Sequence, residues 1–261
     1  MLFRSIPVRS EIGREIRRAF IAPRGKTLLS CDYSQIELRL LAHIAQDPTL
    51  VAAFSQDADI HAATASQVFN VPLEEVTTDQ RRQAKTINFA VLYGQSGFSL
   101  AQTPGVDTPT ANKWIADYFE RLPGVKQYIE QTKAEAHAQK YVKTLMGRRR
   151  TFTDLESSNF NVRQFAERAA INMPIQGTAA DIMKLAMISV HHFLKTERVQ
   201  GCTMILQVHD ELLFEVEEGF LPEITPRIVA LMEGVAPEIT VPLKTEAKAG
   251  KNWADMKGIS G

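Results

Sequence analysis

The chain has 261 residues, 44% of them hydrophobic and 23% charged, an ordinary globular composition that can bury a sizeable core as one large domain or two lobes. Thirty basic residues balance thirty acidic ones, and two cysteines, Cys31 and Cys202, exclude a disulfide scaffold and offer no metal-ligand spacing. No stretch approaches the roughly 18 apolar residues of a membrane span, and the start, Met1 to Pro7, is too short in apolar length for a signal peptide; the expectation is a soluble, cytoplasmic protein.

Neutrality is a sum of separated patches. Residues 1–26 carry Arg4, Arg9, Arg14, Arg17, Arg18, Arg24 and Lys26 against Glu11 and Glu15. Residues 140–150 carry Lys140, Lys143, Arg148, Arg149 and Arg150 with no acid, whereas 210–238 is strongly acidic. Patches of one sign are how a neutral chain can still meet a polyanion.

In chain order, the apolar run 27–31 predicts a buried strand ending at Asp32, after which Ile36, Leu40 and Leu41 take up helical spacing. From about 48 to 140 the pattern is helical, clearest at 59–69, 79–92, 110–121 and 123–139, with breaks at Pro72, Pro104-Gly105, Pro109 and Pro123-Gly124. Residues 141–153 predict a hairpin around Met146-Gly147, and two helices follow at about 162–172 and 177–196. The period then shortens: 203–208 and 211–216 are strand-like runs joined at His209-Asp210-Glu211, followed by a helix at 219–234 and a strand at 241–248. The expected fold is α+β, an antiparallel sheet with flanking helices, interrupted by an all-helical insertion.

Asp32 and Asp210 both sit where an apolar strand ends. Either one alone reads as a turn cap. A sheet that brings the two ends together would place two mutually repelling carboxylates side by side, a repulsion that two Mg²⁺ ions about 3.5–4 Å apart would resolve. Glu211 reads equally as an outer ligand or as an exposed turn residue. Arg81, Lys85, Phe89 and Tyr93 recur every four residues, putting two cations and two aromatics along one side of a helix. The cations near the helix N-terminus suit a triphosphate and the aromatics suit sugar and base. The alternative is a solvated basic end running into a core stripe through Ile87, Val91 and Leu92. Gly94 allows a left-handed stop.

Three other signals fail. Gly25-Lys26-Thr27 lacks the first glycine of a phosphate loop, having Phe20 in its place, and a strand follows it. Asp57 and Asp59 point apart on a helix, and with His61 they have no second His or Cys to complete a site. His191-His192 reads as a surface pair.

The ordered motifs resemble the palm and fingers of family A DNA polymerases, of the bacterial DNA polymerase I type. Residues 32–39 (Asp-Tyr-Ser-Gln-Ile-Glu-Leu-Arg), 81–94 and 207–211 (Gln-Val-His-Asp-Glu) are similar to that family's motifs A, B and C. Asp59-Ile60-His61, residues 147–150 and residues 172–181 match as well, so the likeness runs from about Ile6 to Trp253. It implies template-directed addition of deoxynucleotides to a primer 3′-hydroxyl by two-metal-ion chemistry, with Mg²⁺ as the ion and Mn²⁺ as a substitute. Asp32, Asp210 and the carbonyl of Tyr33 would hold the metals, with Glu211 an acidic partner. Gln35, His61, Arg81 and Lys85 would contact the triphosphate, and Lys85 would protonate the pyrophosphate. Glu37 and Tyr93 would exclude a 2′-hydroxyl, and Phe89 would disfavour nucleotides lacking a 3′-hydroxyl. Arg168, Asn172, Gln176 and His209, with Arg148 and Arg149, would touch the primer-template.

The implied division is 1–56 palm, 57–140 helical fingers and 141–261 palm. Against the family pattern, no thumb or exonuclease domain is expected in these residues, nor proofreading. Grip on duplex would fall to the basic patches or to a second polypeptide supplying thumb function. The rival readings are a thumbless remnant, weak or inactive, that binds primer-template or a replication partner, and a polymerase for short gaps or RNA templates.

Overall fold

The computed structural model describes residue 6, residues 10–102 and residues 106–259. Arg4, Arg9 and the break at Pro104-Gly105 lie outside the described residues. In chain order the elements are α1 (Glu11–Arg18), β1 (Lys26–Tyr33), α2 (Ile36–Ala45), α3 (Pro48–Ser55), α4 (Ile60–Phe69), α5 (Thr78–Leu92), α6 (Gly97–Leu100), α7 (Thr108–Arg121) and α8 (Pro123–Gln139). They continue with β2 (Tyr141–Lys143), β3 (Arg149–Thr151), α9 (Phe160–Thr196), β4 (Cys202–Val208), β5 (Glu211–Glu217), α10 (Leu221–Glu233), β6 (Thr245–Gly250) and β7 (Lys257–Gly258). The chain divides into two compact units: residues 1–36, 180–238 and 243–261 form one, and residues 37–179 with 239–242 form the other.

The first unit is built on a five-stranded sheet of order β4-β5-β1-β6-β7, antiparallel throughout. Central β1 is an apolar run buried on both faces, as a strand covered on both sides requires. On one face Leu28 packs with Val208, Leu213 and Trp253, and Phe20 meets the Trp253 ring edge-on at 5.6 Å. On the other, Tyr33 donates its hydroxyl proton to the Met232 carbonyl of α10 at 2.6 Å. The last strand starts later than the expected 241: Pro242 has no N–H for a ladder, and Ser34 N–H takes the Lys244 carbonyl at 2.8 Å. The two-residue β7, paired with β6, had no signal of its own.

The second unit is helical apart from the β2–β3 hairpin. Its expected helices at 59–69, 79–92, 110–121 and 123–139 are present within two residues at each end. The helices expected at 162–172 and 177–196 are instead one helix of 37 residues that passes through Pro174. Proline removes a donor and normally kinks or stops a helix. Here neighbouring side chains take up carbonyls on either side: Tyr128 Oη donates to Ile171 O (2.6 Å), Thr178 Oγ1 to Pro174 O (2.5 Å) and Arg148 Nη2 to Gly177 O (2.8 Å). Gly177 is there for closeness rather than for a break, since a Cβ would come 2.6 Å from Thr144 Cγ2.

Candidate active site

The acidic residues lie in the sheet unit. Strands β4 and β5 join through a two-residue turn, His209-Asp210, with His209 at φ 52° and the Gln207 amide donating to the His209 carbonyl (2.5 Å). The Tyr33 N–H donates to the Asp210 carbonyl at 3.0 Å, which fastens this turn to the end of β1. Main-chain pairing therefore brings residues 32 and 210 together. Burial, then the charges of Glu211 and Asp210, push the Asp32 carboxyl up to about 6. The charge of Lys248 opposes that rise.

Glu211 is the register partner of Asp32. Its Oε1 accepts from Ser30 Oγ (2.6 Å) and Trp253 Nε1 (3.1 Å), so it is held by the protein and is not a loose turn residue. Among the described residues no group of three or more His, Cys, Asp and Glu side chains converges on one point. Gln35 follows at φ 54° and is exposed.

The cationic residues lie in the helical unit. Helix α5 opens with a capping box, Gln80 N–H to Thr77 Oγ1 (3.2 Å) and Thr77 N–H to Gln80 Oε1 (2.9 Å). It closes on Gly94 at φ 61°, with Gln95 N–H bonding Ala90 O and Gly94 N–H bonding Val91 O, a Schellman ending. Ala84, Ile87, Asn88, Val91 and Leu92 face inward, so Arg81 and Lys85 are exposed and Phe89 and Tyr93 half-buried along one side. The two rings stack with centroids 6.1 Å apart, and Tyr93 Oη donates to Glu37 Oε2 at 3.1 Å.

Asp59 caps α4, accepting from His61 and Ala62 N–H, and pairs with Arg81 Nε at 2.5 Å. Burial raises the Asp59 pKa, but the Arg81 hydrogen bond and the two backbone donors outweigh it and hold the carboxyl below its usual range.

His61 is buried, and its Nδ1 lies 3.1 Å from Asn88 Nδ2, which also donates to Thr64 Oγ1 at 3.0 Å. An amide NH₂ only donates, so Nδ1 accepts and the ring proton sits on Nε2. Burial, with Lys85 and Arg81 against the opposing pull of Asp59, lowers the imidazole pKa to about 4.

A pocket of about 620 Å³ in the same unit is lined by Tyr93, Arg168, Asn172 and Gln176, together with Arg150 and Phe165. The buried Asn172 Oδ1 has no hydrogen-bond partner there, and Gly94 lets the Arg168 stem come close, since a Cβ would meet its Cγ at 3.2 Å. A larger cavity of about 850 Å³ beside α8 holds none of the expected site residues, so size alone does not mark the site.

The basic patches are more committed than their sequence suggests. Arg17 is buried with its guanidinium 4.0 Å over the Trp253 ring, and Arg18 pairs with Asp255. In the second patch Lys140 pairs with Glu156, Lys143 and Arg149 cover the Tyr141 ring, and Arg148 holds the Gly177 carbonyl. Sequence reasoning missed Asn88, the partners of Glu211, and Glu246 and Lys248 beside Asp32. Long-range register alone reveals the last two.

Residues 3–255 match DNA polymerase family A. The chain is similar to DNA polymerase I of Pseudomonas aeruginosa, 51% identical over 249 residues that cover 95% of this chain and 27% of that protein. It is 48% identical to DNA polymerase I of Rhizobium leguminosarum, over 95% of this chain and 25% of that protein. It also resembles the solved POL domain of Pol1 from M. smegmatis in complex with DNA primer-template and dNTP, at a TM-score of 0.91 and 42% identity, covering 97% of this chain and 44% of that one. The chain thus spans about a quarter of the length of these curated relatives.

Proposed function

Given that this chain belongs to DNA polymerase family A, we propose that it carries the nucleotidyl-transfer site of a template-directed DNA polymerase, which adds deoxynucleotides to a primer 3′-hydroxyl. The observation that carries this reading is the Asp32–Asp210 pair, fastened by the Tyr33–Asp210 main-chain bond, with Asp32 pushed up to about 6 by burial and by neighbouring carboxylates. Asp32, Asp210 and the Tyr33 carbonyl would hold Mg²⁺, for which Mn²⁺ substitutes. When bound, the ions supply a lowered pKa at the attacking hydroxyl and neutralisation of charge on the phosphates.

The remaining work falls to the chain's own groups. Arg81 and Lys85, in the first half of α5 where the helix dipole adds positive potential, hold the triphosphate, and Gln35 contacts it. His61, neutral with its proton on Nε2, donates to a phosphate oxygen without adding charge. Lys85 hands a proton to the departing pyrophosphate. The Phe89 and Tyr93 faces take base and sugar, and the Tyr93–Glu37 hydrogen bond leaves no room at the 2′ position. Asn172, with a buried oxygen lacking a partner, reads the primer-template beside Arg168 and Gln176, and His209 touches it from the β4–β5 turn, aided by Arg148 and Arg149. Residues 57–140 correspond in this reading to fingers and the flanking segments to palm.

Primer extension in Mg²⁺ tests the proposal. Asp32→Ala and Asp210→Ala should each lose at least about a thousandfold in kcat/KM, the scale of losing metal stabilisation of the reacting phosphate. Activity equal to wild type in both variants refutes it.

A further inference from the structure

The end of β1 is acidic on both sides. Asp32 lies opposite Glu211 on β5 and opposite Glu246 on β6, and directly paired residues of antiparallel strands point to the same face. Three carboxylates thus form a row across three strands, with Asp210 fastened beside them through Tyr33. The Glu211 carboxylate is taken by Ser30 and Trp253. Glu246 has Lys248, two residues along β6 on the same face, with Nζ 3.3 Å from its Oε2. Lys248 is also the register partner of Ser30, which sets it one diagonal step from Asp32. Its charge opposes those of Glu211, Asp210 and Glu246 on the Asp32 carboxyl. Both side chains are about half exposed, at 45% for Lys248 and 58% for Glu246, so the ammonium can move with the charge beside it.

A cation tethered beside a site for divalent ions has two effects of the same sign. It neutralises the carboxylates while no metal is there, and it repels a metal that arrives. We propose that Lys248 is a positioning residue of the metal site, a built-in counter-ion that steadies the Asp32–Glu246 row before a divalent cation binds and holds the affinity for that cation down. The inference rests on the reading of Asp32 and Asp210 as metal ligands.

The test is Mn²⁺ binding, followed by the spin-resonance signal of the free ion, on the full chain and four variants. Lys248→Gln should bind Mn²⁺ roughly three- to tenfold more tightly at low ionic strength, as expected for a single and a double charge about 7 Å apart in a high-dielectric setting. The gain should shrink at about 0.5 M salt, where the screening length is only a few ångströms. Lys248→Glu should gain more, and Lys248→Arg should match wild type.

In chelator, Lys248→Gln should unfold at a lower temperature than wild type, and saturating Mn²⁺ should close that gap. Unchanged or weaker Mn²⁺ binding by Lys248→Gln overturns the inference, provided Asp32→Asn abolishes binding. If Asp32→Asn binds Mn²⁺ as wild type does, the metal reading itself has failed.

Discussion

Burial pushes the Asp32 carboxyl up to about 6 and the His61 imidazole down to about 4, so each compact unit holds one expected site residue whose neutral form the fold favours. The means differ. In the sheet unit, strand register and the Tyr33–Asp210 bond place the acids, and their side-chain charges work against the fold. In the helical unit, side chains place one another: Asn88 holds His61 and Thr64, Asp59 holds Arg81, and Glu37 accepts from Tyr93. The lesson is that residues of the first kind can be exchanged at little cost to folding, whereas some residues of the second kind carry the local structure.

Substitutions should separate the two cases. Asp32→Asn, besides abolishing primer extension, should stabilise the metal-free protein by about 1–3 kcal/mol at pH 8, because it removes a charge held out of water. Denaturant unfolding in chelator measures this, and a loss of stability would break the comparison. Lys85→Ala should lower kcat/KM by about a hundredfold or more through lost phosphate electrostatics, with no change in unfolding, since the side chain is exposed. Asn88→Ala should cost about 1–3 kcal/mol of stability by leaving the buried His61 Nδ1 unpaired, while Thr64 Oγ1 keeps its bond to the Ile60 carbonyl. Urea unfolding would show it, and a neutral result would remove the network from the account.

A further expected effect is that of pH. His61 stays neutral in the folded state down to about pH 4, while in an unfolded chain it takes up a proton near 6.5. The unfolded state therefore binds more protons between those values, and stability should fall as pH drops from about 6.5 to 4. His61→Asn should flatten that slope in thermal unfolding followed across the window, and an unaltered slope would assign it elsewhere.

The strand expected to end at Asp32, which runs one residue further to Tyr33, the strand beginning at Glu211, and the stripe of Arg81, Lys85, Phe89 and Tyr93 were legible because local period and turn residues determine them. What escaped depends on distant partners. Helix α9 runs on through Pro174 where side chains distant in sequence, Tyr128 and Arg148, bond its Ile171 and Gly177 carbonyls, and the late start of β6 reflects Pro242, whose carbonyl is taken by Arg39. The row of Glu211, Asp32 and Glu246 exists only in the register of strands far apart in the chain. Asp57 and Asp59 do not sit on a helix as expected: Asp59 is the extended N-cap of α4 and Asp57 precedes it at φ 53°, and the pairing of Asp59 with Arg81, 22 residues away, gave no local sign.

The most direct measurement is anomalous diffraction from crystals of the protein grown with primer-template, a non-hydrolysable deoxynucleoside triphosphate and Mn²⁺. We expect manganese peaks within about 2.6 Å of carboxylate oxygens of both Asp32 and Asp210, the reach of a hard-cation ligand. Peaks bound to the triphosphate alone, with both carboxylates uncoordinated, would contradict the central claim.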